Sequence, residues 1–182
     1  GYSSAASDVY KRQKIGGNDL DAEIMKYLKD THSLSIGLRT AEEIKKTVAC
    51  AVPRDEDVTT YAKGQDLLSG LPREIEVSGN SLYECLKPYF ETLASHASDL
   101  FERTSPQLVT DISNSGVVLT GGGANICNID KLFSEALGGI AVRKAEDELH
   151  CVAKGTVVAL ERMHILDKYG YRYQTRDDAH IR

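Results

Sequence analysis

Val117-Val118-Leu119-Thr120-Gly121-Gly122-Gly123-Ala124 is the stretch whose reading decides the fold. Three apolar residues in an unbroken run, two of them β-branched, predict a central strand buried on both faces. Three consecutive glycines then predict a sharp corner into a helix. Glycine lets backbone amides approach an anion with no Cβ in the way, and a helix N-terminus adds about half a positive charge. From these residues alone two readings stay open: a cradle for phosphate or ribose, or a tight structural corner. No Gly-Lys-Ser/Thr follows and the GxGxxG spacing is absent, which argues against a P-loop or a dinucleotide-binding enzyme.

Downstream of the corner the pattern predicts a helix from Ile126 to Leu137, a strand Ile140-Ala141-Val142-Arg143 and a helix from Leu149 to Leu166. Strand, helix, strand, helix is the layered α/β signature. Upstream, Ser105-Pro106 starts a short helix through Ile112. Before it, Ser81 and Glu84 read as a capping box opening a long helix, with Leu82, Leu86, Tyr89, Leu93, Leu100 and Phe101 inward and a kink at Pro88. Val58 to Val77 alternates like an antiparallel excursion, with Lys63-Gly64-Gln65-Asp66 as its turn and Ile75 and Val77 on one face. Thr40 and Glu43 form a second capping box, ahead of Ile44, Val48 and Ala51 or Val52 on one apolar face, before Pro53 stops the helix. The first helix is read as capped by Asn18 or Asp19, carrying Leu20, Ile24, Tyr27 and Leu28 at helical spacing and ending near Thr31. The polar tail from Lys168 to Arg182 has no periodicity and reads as disordered.

The 182 residues are 41% hydrophobic, enough for a buried core, and carry a net charge of −5 with mixed signs. That balance gives no basic stripe for nucleic acid, and no apolar run approaches the roughly 20 residues of a membrane span. Cys50, Cys85, Cys127 and Cys151 are widely spaced, with no CxxC pair and no neighbouring His at ligand spacing, and read as reduced thiols of a cytoplasmic protein. The five histidines, scattered from His32 to His180, read as surface or capping residues. Ser3 to Gln13 matches a translated sequencing-library transposon adapter, so residues 1–13 are set apart as non-native, and the expectation is that an N-terminal half is missing.

Four blocks carry a family resemblance: Ile15-Gly16-Gly17-Asn18-Asp19-Leu20-Asp21, Gly37-Leu38-Arg39-Thr40-Ala41-Glu42-Glu43-Ile44-Lys45, Leu68-Ser69-Gly70-Leu71-Pro72-Arg73 and the glycine turn. A fifth is Ala145-Glu146-Asp147 with Cys151-Val152-Ala153-Lys154-Gly155-Thr156. In their order and spacing, over residues 14 to 166, they resemble the C-terminal half of bacterial actin homologues of the MreB/Mbl class. Two positions depart from the family pattern: Asn18 stands where Asp is usual, and Glu148 where Pro is usual.

The resemblance implies an α/β fold of the actin-like ATPase (ribonuclease H-like) class, present as the second lobe with a small α+β insertion subdomain. Residues 14–79 would be the end of a second-lobe strand plus the insertion, 80–155 the lobe core with the glycine-turn site, and 156–182 a helix returning toward the first lobe followed by the tail. Gly121, Gly122, Gly123 and Ala124 would pack on ribose and α-phosphate. Glu42, Glu43, Ile44 and Lys45 would form the adenosine-contacting helix, where the same charges without the family match would read as a solvated helix side. Asp147 and Gly155 would belong to an interdomain hinge at which glycine lets two helices cross closely. The intact protein would bind ATP or ADP with Mg²⁺, polymerise with itself at the cytoplasmic face of the inner membrane, and work with cell-shape membrane proteins in cell-wall synthesis. Membrane association and the catalytic residues would lie in the other half, so this chain alone is expected to be inactive. Competing readings are another actin-superfamily ATPase, such as a heat-shock-type chaperone, a sugar kinase or a division or plasmid-segregation actin, and a non-enzymatic interaction module.

Overall fold

The structure is a computed structural model that describes residues 15–168 and 170; the adapter-like stretch 1–13 and nearly all of the polar tail lie outside the described residues. Helix α1 (Gly17–His32) starts two to three residues earlier than a cap at Asn18 or Asp19 would allow. Gly16 is the cap residue, and its N–H donates to Asp19 Oδ2 at 2.7 Å, so Asp19 closes the helix start from inside the first turn. Leu20, Ile24 and Leu28 are buried at the expected spacing, and Ser33 ends the helix in the left-handed region at φ 53°.

Strand β1 (Leu34–Ser35) leads to α2 (Leu38–Val48), which begins at Gly37, so the expected Thr40/Glu43 capping box does not form. Thr40 lies inside the first turn, and Glu43 accepts from Arg39 Nε at 3.2 Å instead. Ala41, Ile44 and Val48 are buried in the core, and α2 packs against α1. At Ala49 the backbone turns extended, so Ala51 is buried outside the helix rather than on its face. Here Cys50 pairs in parallel with Cys127, and the Ala51 N–H donates to the Cys127 carbonyl at 2.8 Å.

Strands β2 (Thr59–Asp66) and β3 (Pro72–Ser78) join β1 in a three-stranded antiparallel sheet of order β1-β2-β3. The expected turn at Lys63 to Asp66 is therefore strand, and the turn spans Leu67 to Leu71, held by Ser69 Oγ donating to Asp66 Oδ2 at 2.7 Å and by Gly70 at φ 73°. Gly64 is glycine for a different reason from a turn: a Cβ there would lie 2.3 Å from the Ser35 carbonyl oxygen of the neighbouring strand.

Helix α3 (Gly79–Glu102) is capped by Ser78, whose Oγ accepts from the Ser81 N–H at 3.2 Å, so Ser81 and Glu84 lie inside the helix rather than at its cap. Asp57 supports this start by accepting from the Asn80 N–H at 3.0 Å and from the Ser78 hydroxyl. Leu82, Leu86 and Phe90 are fully buried, while Tyr89, Leu93 and Phe101 are half-buried. Leu100, expected inward, is 67% exposed, because the core ends before the last turns of this helix. The helix continues through Pro88.

Helix α4 (Pro106–Ser115) ends at Gly116, with φ 77° and no room for a Cβ, which would lie 2.7 Å from the Ala141 carbonyl oxygen. Strand β4 (Val117–Leu119) pairs in parallel with β5 (Val142–Lys144), with Val118 opposite Arg143. The expected burial on both faces is not found: among the described residues β5 is the only strand beside β4, and Val118 is 40% exposed. After a 3-10 turn (Gly122–Asn125), α5 (Ile129–Ala136) starts later than Ile126, because Cys127 and Asn128 are used in the seam with Cys50. The expected single helix from Leu149 is two, α6 (Cys151–Glu161) and α7 (Met163–Lys168), separated at Arg162. One hydrophobic core runs from Leu20 through Ile44, Val77, Leu86 and Phe90 to Ile129.

Within that core Asp21 is the one buried charged side chain among the described residues. Lys45 Nζ lies 2.8 Å from its Oδ1 and 2.9 Å from its Oδ2, and also donates to the Gly17 carbonyl at 3.0 Å, tying α1 to α2. Removing one partner of a buried ion pair strands a charge, whereas replacing both with apolar residues does not. Lys45→Met is expected to lower stability by about 3 kcal/mol, with much of it regained in Lys45→Met/Asp21→Leu, in chemical denaturation. Gly64→Ala is expected to cost about 2 kcal/mol through overpacking against Ser35, read as a drop of roughly 6 °C in melting temperature. The Ser78 hydroxyl, then the Asn80 N–H, hold the Asp57 carboxyl below the usual carboxylate range. Its contribution is therefore full at neutral pH and is lost as the pH falls through that lowered value. The melting-temperature gap between wild type and Asp57→Asn should accordingly narrow between neutral pH and the acid limit.

Candidate functional site: a cleft between the first two helices and the glycine turn

A cleft of about 1010 Å³ opens where α1, α2, α3 and the glycine turn meet. Gly16, Gly17 and Asn18 form one lip, at the start of α1, and Glu42, Lys45 and Lys46 of α2 form the adjoining wall. Opposite them stand Thr120, Gly122, Gly123, Ala124 and Asn125, and Leu93, Ile126 and Phe133 supply apolar surface. A lining of this kind, largely apolar with a few placed polar groups, suits a ligand with an apolar part and a polar remainder.

Of the residues singled out from the sequence, Glu42, Lys45, Gly122, Gly123 and Ala124 line this cleft together. Three do not. Ile44 is a core residue at 2% exposure, Glu43 faces Arg39 on the outer side of α2, and Gly121 shapes the turn from behind. At φ 85° Gly121 occupies a region that favours glycine, and its N–H donates to the Glu148 carbonyl at 2.8 Å. That bond fastens the glycine turn to the segment around Asp147, itself at φ 53°. No atom lies within 4 Å of a Cβ built on Gly123, so its missing side chain leaves space on the cleft.

The charged side chains that line the cleft are paired with one another. The Lys46 ammonium, 2.6 Å from Glu42, keeps the Glu42 carboxyl below its usual range through a hydrogen bond and its charge. Asp21 is matched by Lys45, so both carboxylates on the cleft are paired with lysines. At the far end of the turn, Lys154 and then His150 lower the Asp147 carboxyl by hydrogen bonding to it. Gly155, expected where two helices cross closely, has no atom within 4 Å of a Cβ built on it, so no such crossing is made among the described residues.

Sequence reasoning passed over Asp21, Lys46 and the apolar wall of Leu93 and Phe133. Asp21 did carry a signal: it sits beside Leu20 and three residues before Ile24, a charge on an apolar stripe that calls for a buried partner. Leu93 and Phe133 carried none, because a cleft-facing apolar side chain and a core one look alike in sequence.

Comparisons with known proteins bear on the family and the fold. The family model described as MreB/Mbl protein matches residues 3–168, a span that begins within the adapter-like stretch. The chain is 41% identical over 155 residues to the cell shape-determining protein Mbl of Bacillus subtilis (strain 168), covering 85% of this chain and 46% of that protein. It is 38% identical over 157 residues to the cell shape-determining protein MreB of Escherichia coli (strain K12), covering 86% of this chain and 44% of that one. Among solved structures it resembles MreB5 of Spiroplasma citri bound to ADP, with a TM-score of 0.78, 32% identity, and 87% of this chain and 48% of that one covered. The MamK double helical filament shares the fold at a TM-score of 0.68 and 17% identity, covering 82% of this chain and 45% of that one. The chain thus spans about half the length of the relatives it matches. With a family model covering most of its length, an actin-like fold and the glycine turn in place, the chain belongs to the MreB/Mbl family.

Proposed function

We propose that this chain carries the adenosine-side half of the nucleotide site of a cell-shape-determining, actin-like filament protein. The observation that carries the reading is the cleft itself: Glu42, Lys45 and Lys46 on one wall and Gly122, Gly123 and Ala124 on the other, with Leu93 and Phe133 offering apolar contact. Adenine and ribose would lie between the walls. The first N–H groups of a helical turn find no acceptor inside it, which leaves those of Gly122 and Gly123 for ribose or α-phosphate oxygens. The MreB5 relative of known structure is bound to ADP, and a second structure of it to AMPPNP, which supports an adenine nucleotide as the ligand. Mg²⁺ would come with the nucleotide phosphates, which commonly carry it.

In the whole protein, nucleotide binding would be linked to self-assembly into filaments at the cytoplasmic face of the membrane, where the polymer would organise cell-wall synthesis with membrane proteins of the elongation machinery. Linkage of this kind arises when nucleotide and polymer favour the same closed state. Family membership supports this part of the reading. Turnover would depend on residues of the other half of the protein, as membership of the family implies.

Titration of the 182-residue chain with fluorescent ADP and ATP tests the proposal. Saturable binding to both, without phosphate release, is expected; no binding at millimolar nucleotide would sink it. Gly123→Val should leave the melting temperature nearly unchanged, since its Cβ meets nothing, yet weaken binding about tenfold or more, or about 1.4 kcal/mol.

A further inference from the structure

Of the four cysteines, Cys50 and Cys127 are brought together although 77 residues separate them in sequence. They are direct partners of a parallel backbone bridge, fixed by the Ala51 N–H to the Cys127 carbonyl at 2.8 Å and by Asn128 Nδ2 to the Val52 carbonyl at 3.2 Å. Paired residues in neighbouring strands sit about 4.8 Å apart and point their side chains to the same side. That spacing falls within the Cα separation of about 4.4 to 6.8 Å that a disulfide spans. The two thiols are not equivalent. Cys50 is fully buried, whereas Cys127 is half-buried and its sulfur accepts a hydrogen bond from Arg54 Nε at 3.3 Å.

We propose that Cys50 and Cys127 form a peroxide-oxidisable thiol pair, with Cys127 as the attacking thiol, Cys50 as the resolving thiol and Arg54 as the positioning residue. In the first step the Cys127 sulfur attacks one oxygen of hydrogen peroxide. The O–O bond breaks, water leaves after protonation, and Cys127 becomes a sulfenic acid. In the second, the Cys50 sulfur attacks the Cys127 sulfur, the S–O bond breaks, a second water leaves, and a disulfide remains. Two thiols and one peroxide thus yield one disulfide and two waters. The Arg54 Nε–H, donating to the Cys127 sulfur, holds that sulfur in place. Burial raises the Cys50 thiol above its usual value, which suits a group that waits for a sulfenic acid.

The remaining cysteines are poorly placed for this chemistry. Burial and then the nearby Glu23 charge push the Cys85 thiol up to about 12, and it donates to the Leu82 carbonyl at 3.1 Å. Cys151 donates to the Glu148 carbonyl at 3.5 Å, away from the pair. The consequence of oxidation is local and mechanical. Cys50 follows α2 and Cys127 follows the glycine turn, so the bond would fasten the bases of the two cleft walls to each other.

The test uses the whole reduced chain, treated with a small excess of hydrogen peroxide, quenched with N-ethylmaleimide, digested with trypsin and mapped by mass spectrometry without reductant. The expected product is the Cys50 peptide joined to the Cys127 peptide within one chain, with Cys85 and Cys151 recovered as maleimide adducts. In Cys50→Ser, Cys127 should instead accumulate as a sulfenic acid that dimedone traps, and Arg54→Gln should slow wild-type cross-linking several-fold. Recovery of both Cys50 and Cys127 as maleimide adducts while Cys151 oxidises, or links found only between chains, would overturn the proposal. The cross-link map needs no variant, so a folding defect in Cys50→Ser leaves it decisive.

Discussion

The arrangement of the first half of this chain depends on one carboxylate that folding removes from water. Asp21 lies on the apolar side of α1, and it is tolerable there because Lys45 reaches it from α2 with both carboxylate oxygens in range. The pair sets the rotation of α2 about its own axis. With Lys45 turned toward α1, Glu42 and Lys46 come to the cleft, Ile44 is driven into the core and Glu43 is left outside. A wall of the cleft is thus positioned by an interaction at its base, and the Lys45 ammonium serves structure and site at once.

Much of the layered α/β order was legible in the sequence, because apolar period and glycine placement follow directly from backbone geometry. The strand before the glycine turn, the corner itself and the stripe Leu20, Ile24, Leu28 all lie where period and turn chemistry put them. Helix starts were less legible. Ser81 with Glu84, and Thr40 with Glu43, fit the capping-box pattern, yet Ser78 and Gly37 hold the cap positions. A box pattern recurs inside helices, and which hydroxyl caps depends on where the preceding strand delivers the chain. Gly64 shows the same limit: a glycine that reads as a turn in one dimension is a close approach between strands in three. Burial of Val118 and Leu100 was misread because an apolar run records what a side chain needs, not which segment covers it.

For the site, the glycines and the charges of α2 were visible as motifs, and the fold gathers five of the eight singled out into one cleft. The three that stand apart divide by physical role. Gly121 supplies a backbone conformation, Ile44 supplies core volume, and Glu43 takes part in an exposed pair with Arg39 that is worth little. A contiguous sequence block is a poor guide to a helix face, since neighbours on a helix point about 100° apart.

Strand β4 pairs with β5 along one edge only among the described residues, and the apolar side chains of Val118, Val152, Val157 and Leu160 are exposed. An open strand edge presents a row of backbone donors and acceptors, and exposed apolar side chains add a non-directional attraction to it. Solubility and folding are therefore governed by different regions of the molecule. The buried core around Asp21 and Phe90 favours folding, while the apolar side chains exposed at β4 and α6 favour contact with another apolar surface.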